Sequence, residues 1–457
     1  MPGQGRSPAT ERLATERPVT VIGLGPSPLG ERARASLSRA TLVAGARRHL
    51  AAAGLAPPAP GAPPGPGAAP AGLGAPWTAA APANAPAPLP GHPRVVELAG
   101  DLEPVLAALA EAAGPAVVLA SGDPGFFGVV RVLAERFGRH RLEVLPAVSA
   151  VAAAFARAAL PWDDALVVTA HGRDPRPAVN ACLAHPKVAV LTQPGFGPAE
   201  LAARLGGSGR RLLVAERLGE PGERVVEGDP TAIAAGRWAD PNVVLVLDEP
   251  AAVAAAKGRA WPQRRGPARW GLPESAFEHR DGMITKAEVR ALALARLGPG
   301  VGDLVWDVGA GSGSVGVECA RLGAAVVAVE RDPAACAVVA RNAARHDVAV
   351  RVVEGAAPGA LVDLPDPDAV FVGGSGAALA AVLRLAAARA RRAVVVALTG
   401  TARLASPERV LLAARSLAAA GMEVDTVRVQ AGRFEIATGL RESLAVNPVF
   451  LVSGARP

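Results

Sequence analysis

VGDLVWDVGAGSGSVGVECARLGAAVVAVERD, residues 301–332, carries the pattern that decides the fold. An aliphatic run ends at Asp307, glycines follow at Gly309, Gly311 and Gly313, a helical stretch begins near Ser314, and a second aliphatic run ends at Glu330. Strand, tight loop, helix and strand in that order open an α/β unit. Glycines let a loop backbone approach a ligand closely. An acid closing the second strand can accept hydrogen bonds from both hydroxyls of a ribose. Asp307, Gly309, Ala310, Gly311, Ser312, Gly313 and Glu330 are therefore candidates to hold a nucleoside-type cofactor. Gly311, Gly313 and Gly316 also satisfy the G-x-G-x-x-G of dinucleotide sites. The acid follows Gly316 by 14 residues (316 to 330), short of the roughly 20 usual in those sites, and this favours the nucleoside reading.

The rest of the chain sets limits on what that unit belongs to. At 457 residues the chain has room for roughly two to three domains,. Composition leans on Ala, Arg, Pro and Gly throughout, with 51 Gly, 43 Pro, no Tyr, and lysine only at Lys187, Lys257 and Lys286. A net charge of +7 inside so general a bias is a weak pointer to any partner,. Cys182, Cys319 and Cys336 are far apart and the histidines are scattered, so neither a disulfide framework nor a protein-held metal is expected,. The polar, charged stretch 1–17 lacks the apolar core of a signal peptide and reads as a disordered tail. No long uncharged apolar run suggests a membrane span. A soluble cytoplasmic protein is expected.

Two stretches interrupt the folded pattern. Residues 57–93 are almost entirely Ala, Pro and Gly, where repeated prolines remove donors and fix backbone angles,. This reads as an insertion, because strand and helix patterns resume on both sides. Residues 251–270 include KGRAWPQRRGPARW and read as a linker,. The chain is thus divided into a domain over 18–250 and a second over 271–457. In the first, strands are expected at 19–24, 116–120, 142–145, 165–169, 188–192, 211–216 and 242–247. Ligands of open α/β sheets bind beyond the carboxyl ends of strands. The informative loops there are Gly23-Leu24-Gly25-Pro26, Ser121-Gly122-Asp123-Pro124-Gly125, Pro146-Ala147-Val148-Ser149-Ala150 and His171-Gly172-Arg173.

In that order these loops resemble the tetrapyrrole methylase family, in particular its cobalamin-pathway branch that methylates C-5 of a precorrin. The resemblance covers about 18–250 and implies a two-lobed α/β domain that wraps S-adenosylmethionine. Its cofactor contacts fall on Gly23, Gly25, Pro26, Gly122, Asp123, Ser149 and Ala150, and substrate contacts on His171 and Arg173. Ser27 and Ala147 stand where the family has glycine. Over 271–457, Gly271-Leu272-Pro273, Ile284-Thr285-Lys286, the glycine loop, Gly355-Ala356-Ala357-Pro358 and Asn447-Pro448 resemble the decarboxylating C-15 methyltransferases of the same pathway. That implies a Rossmann-like domain in which Thr285, Gly355 and Ala357 join the cofactor contacts. Thr285 and Glu288 also read as a T-x-x-E capping box.

Both halves on one chain resemble the family of fused, decarboxylating C-5,15-methyltransferases. The implied protein uses two S-adenosylmethionine sites, acts on precorrin-6B, methylates C-5 and C-15, and removes a ring C carboxyl group. A homo-oligomer is expected, with neither nucleic acid nor membrane as partner. Glu278, His279, Glu318 and Arg433 are the candidates for handling the proton of decarboxylation, by proximity to motifs alone. Two other readings compete: an RNA methyltransferase, from a sequence pI near 10.4, and a non-catalytic binding role for the N-terminal half, from Ser27 and Ala147.

Overall fold

The structure, a computed structural model, describes residues 18–25, 27–55, 93–220, 222–248, 269–280, 282–373, 376–399, 407–435, 441–445 and 448–457, with backbone alone for 432–435 and 441–445. The tail 1–17, Pro26, Asn447 and nearly all of the 57–93 insertion and the 251–270 linker lie outside the described residues.

The first sheet comprises β1 (Val19–Leu24), β2 (Leu42–Gly45), β3 (Arg94–Glu97), β4 (Ala116–Ser121) and β5 (Leu142–Leu145), in the order β3-β2-β4-β1-β5 with every pair parallel. Side chains of a strand alternate between faces, and here both faces are apolar. Val19, Val21, Ala44 and Val118 pack beneath the helices Glu103–Glu111 and Val130–Phe137. Ile22, Val43, Val117 and Leu119 pack against Glu31–Arg39 and Arg47–Ala52 on the other face. Continuous aliphatic runs are what a doubly covered parallel sheet demands, and each fully buried Val, Leu or Ile contributes about 1.5–3 kcal/mol.

A second sheet takes β6 (Leu166–Thr169), β7 (Lys187–Leu191), β8 (Arg211–Glu216), β9 (Arg224–Gly228) and β10 (Asn242–Leu247) in the order β6-β7-β10-β8-β9. Lys187, at the start of β7, is buried and donates to Asp164 at 2.6 Å.

The third sheet has β11 (Leu304–Val308), β12 (Ala325–Glu330), β13 (Arg351–Glu354), β14 (Ala369–Val372), β15 (Ala393–Thr399), β16 (Glu423–Val429) and β19 (Val449–Ala455), ordered β13-β12-β11-β14-β15-β19-β16. Between them in sequence, β17 (Gly432–Glu435) and β18 (Arg441–Ala445) pair as an antiparallel ribbon. The first five strands of the third sheet are parallel, whereas β19 runs antiparallel to both neighbours. A dinucleotide sheet continues with a parallel sixth strand beside the fifth; the reversed β19 departs from it. Leu304, Trp306 and Val308 face one core, Val305 the other, and Asp307 shares the face of Val305.

The chain divides into two compact units. One holds Met1–Trp162, Val214–Val226 and Trp238–Val243, the other Asp163–Leu213, Glu227–Arg237 and Val244–Pro457. Within the second, Asn180 donates to the Gly302 carbonyl at 3.0 Å and Arg176 lies 3.7 Å from Asp368. No helix among the described residues is long and apolar enough to cross a membrane.

Candidate cofactor and substrate sites

Three loops meet at the carboxyl ends of β1, β4 and β5. Gly122 donates to the Leu24 carbonyl at 2.7 Å, and Ala147 donates to the Gly122 carbonyl at 3.0 Å. A Cβ on Gly23 would lie 2.0 Å from the Gly122 oxygen and 2.6 Å from the Ala147 nitrogen, so only glycine fits there. Asp123 Oδ1 accepts from Gly125 at 2.8 Å, which shapes its turn. Ser149 caps the helix Ala150–Ala158, its hydroxyl accepting from Ala152 at 3.1 Å. Gly23, Gly25, Gly122, Asp123, Ser149 and Ala150 are thus gathered around one point. Neither Ser27 nor Ala147 adopts a positive φ, so their β-carbons carry no backbone strain where the family has glycine.

His171, Gly172 and Arg173 follow β6 on an exposed loop. Gly172 donates to Gln193 Oε1 at 2.6 Å and Arg173 to the Ala170 carbonyl at 3.2 Å. These bonds fix the backbone, and the side chains of His171 and Arg173 remain exposed.

In the third sheet the glycine loop is held by two acids. Asp307 is buried and accepts from Gly316 at 2.8 Å. A Cβ on residue 316 would sit 2.9 Å from Asp307 Oδ2, so Gly316 serves close approach to the acid. Burial chiefly, and the nearby Glu330 charge, push the Asp307 carboxyl up to about 7 against the Gly316 hydrogen bond. Glu330 Oε2 accepts from Gly311 at 2.9 Å, and Oε1 accepts from Arg331 at 2.8 Å and Asp332 at 3.1 Å. Gly309, Gly311 and Gly313 have φ of 68°, 56° and 71°, in the left-handed region that favours glycine. A Cβ at Gly311 would meet nothing within 4 Å, so the loop there faces open space of the kind a ligand fills. Gly355 donates to the Glu330 carbonyl at 2.9 Å and Gly373 to Val308 at 2.9 Å. The ends of β11, β12, β13 and β14 therefore converge, bringing Ala357 to the same edge as Gly309, Ala310, Gly311, Ser312, Gly313 and Glu330.

Thr285 is placed otherwise than as a cap. The helix Ala287–Leu297 has Lys286 as its N-cap, with no side-chain cap bond. Ala287 donates instead to Glu274 Oε1 at 3.0 Å. Glu274, from the preceding segment, thus accepts from the first amide of the helix, and the N-cap position falls on Lys286 instead of Thr285.

The proton-handling candidates separate clearly. Glu318 and Arg290 are both buried, joined at 2.7 Å. Glu318 also accepts from Gly271 at 2.7 Å and Leu272 at 2.9 Å. With its side chain enclosed and its oxygens engaged, Glu318 anchors the entry segment 271–277, a structural duty instead of a proton-handling one. Glu278 is exposed and paired to Arg341 at 2.6 and 2.8 Å, and this pairing first of all holds its carboxyl below the usual range. Such a carboxylate is a poor proton donor. His279 is half-buried, and its Nδ1 is buried without a partner among the described residues. Arg433 lies on β17, where only the backbone is described.

Asn342 escaped the sequence reading. Fully buried, it accepts from the Glu278 amide at 2.7 Å and donates to the Glu278 and Ser312 carbonyls, each at 2.8 Å. One side chain thereby ties the segment carrying His279 to the glycine loop, and Arg280 adds a 3.0 Å bond to Asp332. The signal was present: Asn342 is the polar residue on the apolar face of the helix Pro333–Arg345.

Comparison with known proteins falls into the same two parts. The family described as tetrapyrrole (corrin/porphyrin) methylases matches residues 18–234, and that described as precorrin methyltransferase domain matches 275–448. A Sinorhizobium protein named precorrin-6Y C(5,15)-methyltransferase [decarboxylating] is 43% identical over 281 residues, 60% of this chain and 65% of its own length. The chain thus covers less than two thirds of that relative. A Salmonella typhimurium cobalt-precorrin-7 C(5)-methyltransferase is 36% identical over 136 residues, 29% of this chain and 66% of its own. A Pyrobaculum calidifontis protein named "Probable cobalt-precorrin-6B C(15)-methyltransferase (decarboxylating)" is 35% identical over 189 residues, 40% of this chain and 94% of its own. Matched over nearly the whole of that last relative, and carrying a tetrapyrrole methylase domain ahead of the matched part, the chain belongs to the family of decarboxylating precorrin methyltransferases.

Proposed function

We propose that this protein is a bifunctional C-methyltransferase of cobalamin biosynthesis, which methylates precorrin-6B at C-5 and C-15 and removes the carboxyl group of the ring C acetate. The observation that carries it is the presence, on one chain, of two separate glycine-lined loop clusters at strand ends, each within its own family match. Domain limits of 18–250 and 271–457 accompany the reading. S-adenosylmethionine, when bound, supplies an electrophilic methyl group at each cluster.

The remaining work falls to the chain. At the N-terminal cluster Gly23, Gly25, Gly122, Asp123, Ser149 and Ala150 would hold the cofactor. His171 and Arg173 are the substrate contacts that the family resemblance implies. At the C-terminal cluster Gly309 to Gly313 would lie along it, Glu330 would take the ribose, and Asp307, Thr285, Gly355 and Ala357 would complete the cradle. Positioning a nucleophilic ring carbon in line is the main catalytic demand of methyl transfer. In decarboxylation the bond from the acetate methylene to the carboxyl breaks, carbon dioxide leaves, and the methylene carbon must gain a proton. We assign its delivery to His279, whose chain neighbour Glu278 is tied by Asn342 to the glycine loop.

Incubating the full chain with precorrin-6B and a labelled methyl donor tests this. The product should gain two methyl groups and lose one carbon dioxide by mass. His279→Ala should give product that keeps the carboxyl group. One methyl gained with no loss of carbon dioxide would reduce the protein to a C-5 enzyme, and no gain at all would overturn the reading. The RNA methyltransferase reading predicts salt-sensitive RNA binding and no transfer to a tetrapyrrole.

A further inference from the structure

At the carboxyl edge of the first sheet, the sequence RRHL at 47–50 builds a polar cluster outside the glycine loops described above. Arg48 Nη2 donates to Ser121 Oγ at 3.0 Å, and Arg48 Nε donates to His49 Nε2 at 3.2 Å. Ser121 Oγ lies 2.8 Å from the same His49 Nε2. With Nε2 accepting, the imidazole proton sits on Nδ1 and the ring is neutral. Burial, and then the neighbouring Arg48 charge, lower its pKa to about 4.

Arg48 differs from its neighbours in what it touches. Arg32, Arg47, Arg94 and Arg157 each face a glutamate. Arg48 is exposed, and among the described residues its guanidinium bonds to two neutral groups. Among the described residues its guanidinium is therefore oriented without an anionic partner, with Nη1 open to a ligand. Ser121 immediately precedes Gly122, whose amide is bonded to Leu24, so the oriented cation stands one residue from the candidate cofactor loops. An uncompensated, aligned guanidinium matches a carboxylate, which it can bind through two parallel bonds.

We propose that Arg48, held by His49 and Ser121, is a carboxylate-binding positioning residue that seats a side-chain carboxylate of the tetrapyrrole at the N-terminal site. The inference rests on the proposed function. The carboxylate could also be that of the cofactor's methionine part, and the test separates the two sources.

With the full chain, Arg48→Ala should raise KM for C-5 methyl transfer about tenfold or more, while kcat, C-15 transfer and affinity for S-adenosylhomocysteine hold. Arg48→Lys should recover part of the loss. A weakened S-adenosylhomocysteine site with KM for the tetrapyrrole unchanged keeps the carboxylate site and makes the cofactor its source. Unchanged KM and unchanged S-adenosylhomocysteine affinity overturn the proposal. Should Arg48→Ala fold poorly, Arg48→Gln keeps the side chain's length and removes its charge. Cobyrinic acid, a corrin with free side-chain carboxylates, and its methyl ester give a readout independent of turnover. Wild type should prefer the acid, and Arg48→Gln should lose that preference at one site. A wild type that binds the acid but transfers no methyl group sinks the proposed function and leaves this site standing.

Discussion

The two candidate cofactor cradles are built by different physical means. Around Gly23 the loops meet backbone to backbone, Gly122 against Leu24 and Ala147 against Gly122. Around Gly311 they are drawn together by carboxylates, Asp307 on Gly316 and Glu330 on Gly311, Arg331 and Asp332. The first should therefore be vulnerable to volume and the second to charge. Gly23→Ala is the severest test. Its Cβ would meet two backbone atoms at 2.0 and 2.6 Å, a clash harsher than ordinary overpacking at about 1–3 kcal/mol. Titration with S-adenosylhomocysteine should then count one site per chain instead of two. In denaturant melts of the ligand-free chain, Gly311→Ala, whose Cβ meets no atom of the chain, should cost only the roughly 1–2 kcal/mol of a left-handed residue,. Equal losses at the two positions would break the contrast.

The same contrast runs through the ion pairs. Arg290 and Glu318 have no exposed side-chain surface, and removing one partner of a buried pair costs about 3–5 kcal/mol. Arg157 and Glu223 are joined at 2.5 Å, but their side chains are 47% and 25% exposed, where a pair is worth about 1 kcal/mol at most. Denaturant melts of Glu318→Ala and Arg157→Ala should differ accordingly. A small loss in Glu318→Ala would mean that segment 271–277 is held some other way.

Charge is easier to read in a sequence than close approach, and what the sequence disclosed divides along that line. Asp307, Glu330 and the glycines between them were legible because a strand, a loop and a second strand keep them in one short window. The long aliphatic runs of β1, β8 and β10 were legible as well. LVAG at β2 was not, being four residues with a glycine at the end, nor was the half-exposed RVVE of β3. Asn342 and the Arg48, His49 and Ser121 cluster depend on contacts across 64 and 73 positions of chain, which no local pattern encodes. Glu318 stood near a motif, but its partner Arg290 is 28 positions away.

Asp307 gives the C-terminal cradle a pH dependence. Its carboxyl is raised from an ordinary 3.8 to about 7, so the folded state holds the proton more tightly than the unfolded chain. Stability from this group is full below pH 3.8 and is lost as pH rises through about 7, a difference on the order of 4 kcal/mol,. Asn at this position cannot ionise, yet its oxygen can still accept from Gly316. Asp307→Asn should gain stability relative to wild type between pH 5 and pH 8 in denaturant melts. A gap that stays flat with pH would mean Asp307 is charged at both.

Glu330 should have the smallest and most local effect, and the choice of variant matters. Its oxygens accept from three loop amides, so alanine would loosen the loop as well as remove the acceptor proposed for the ribose. Glu330→Gln keeps the length and one carbonyl oxygen for the loop and deletes the charge. A hydrogen bond to a charged group contributes about 1.5–3 kcal/mol. Cofactor affinity at the C-terminal site should accordingly fall roughly tenfold to 150-fold, with the N-terminal site unchanged because backbone and glycine, not Glu330, shape it. A two-site titration of the variant reads both at once. If neither site weakens, Glu330 does not meet the ribose; if both weaken together, the two cradles are not independent and the contrast between them fails.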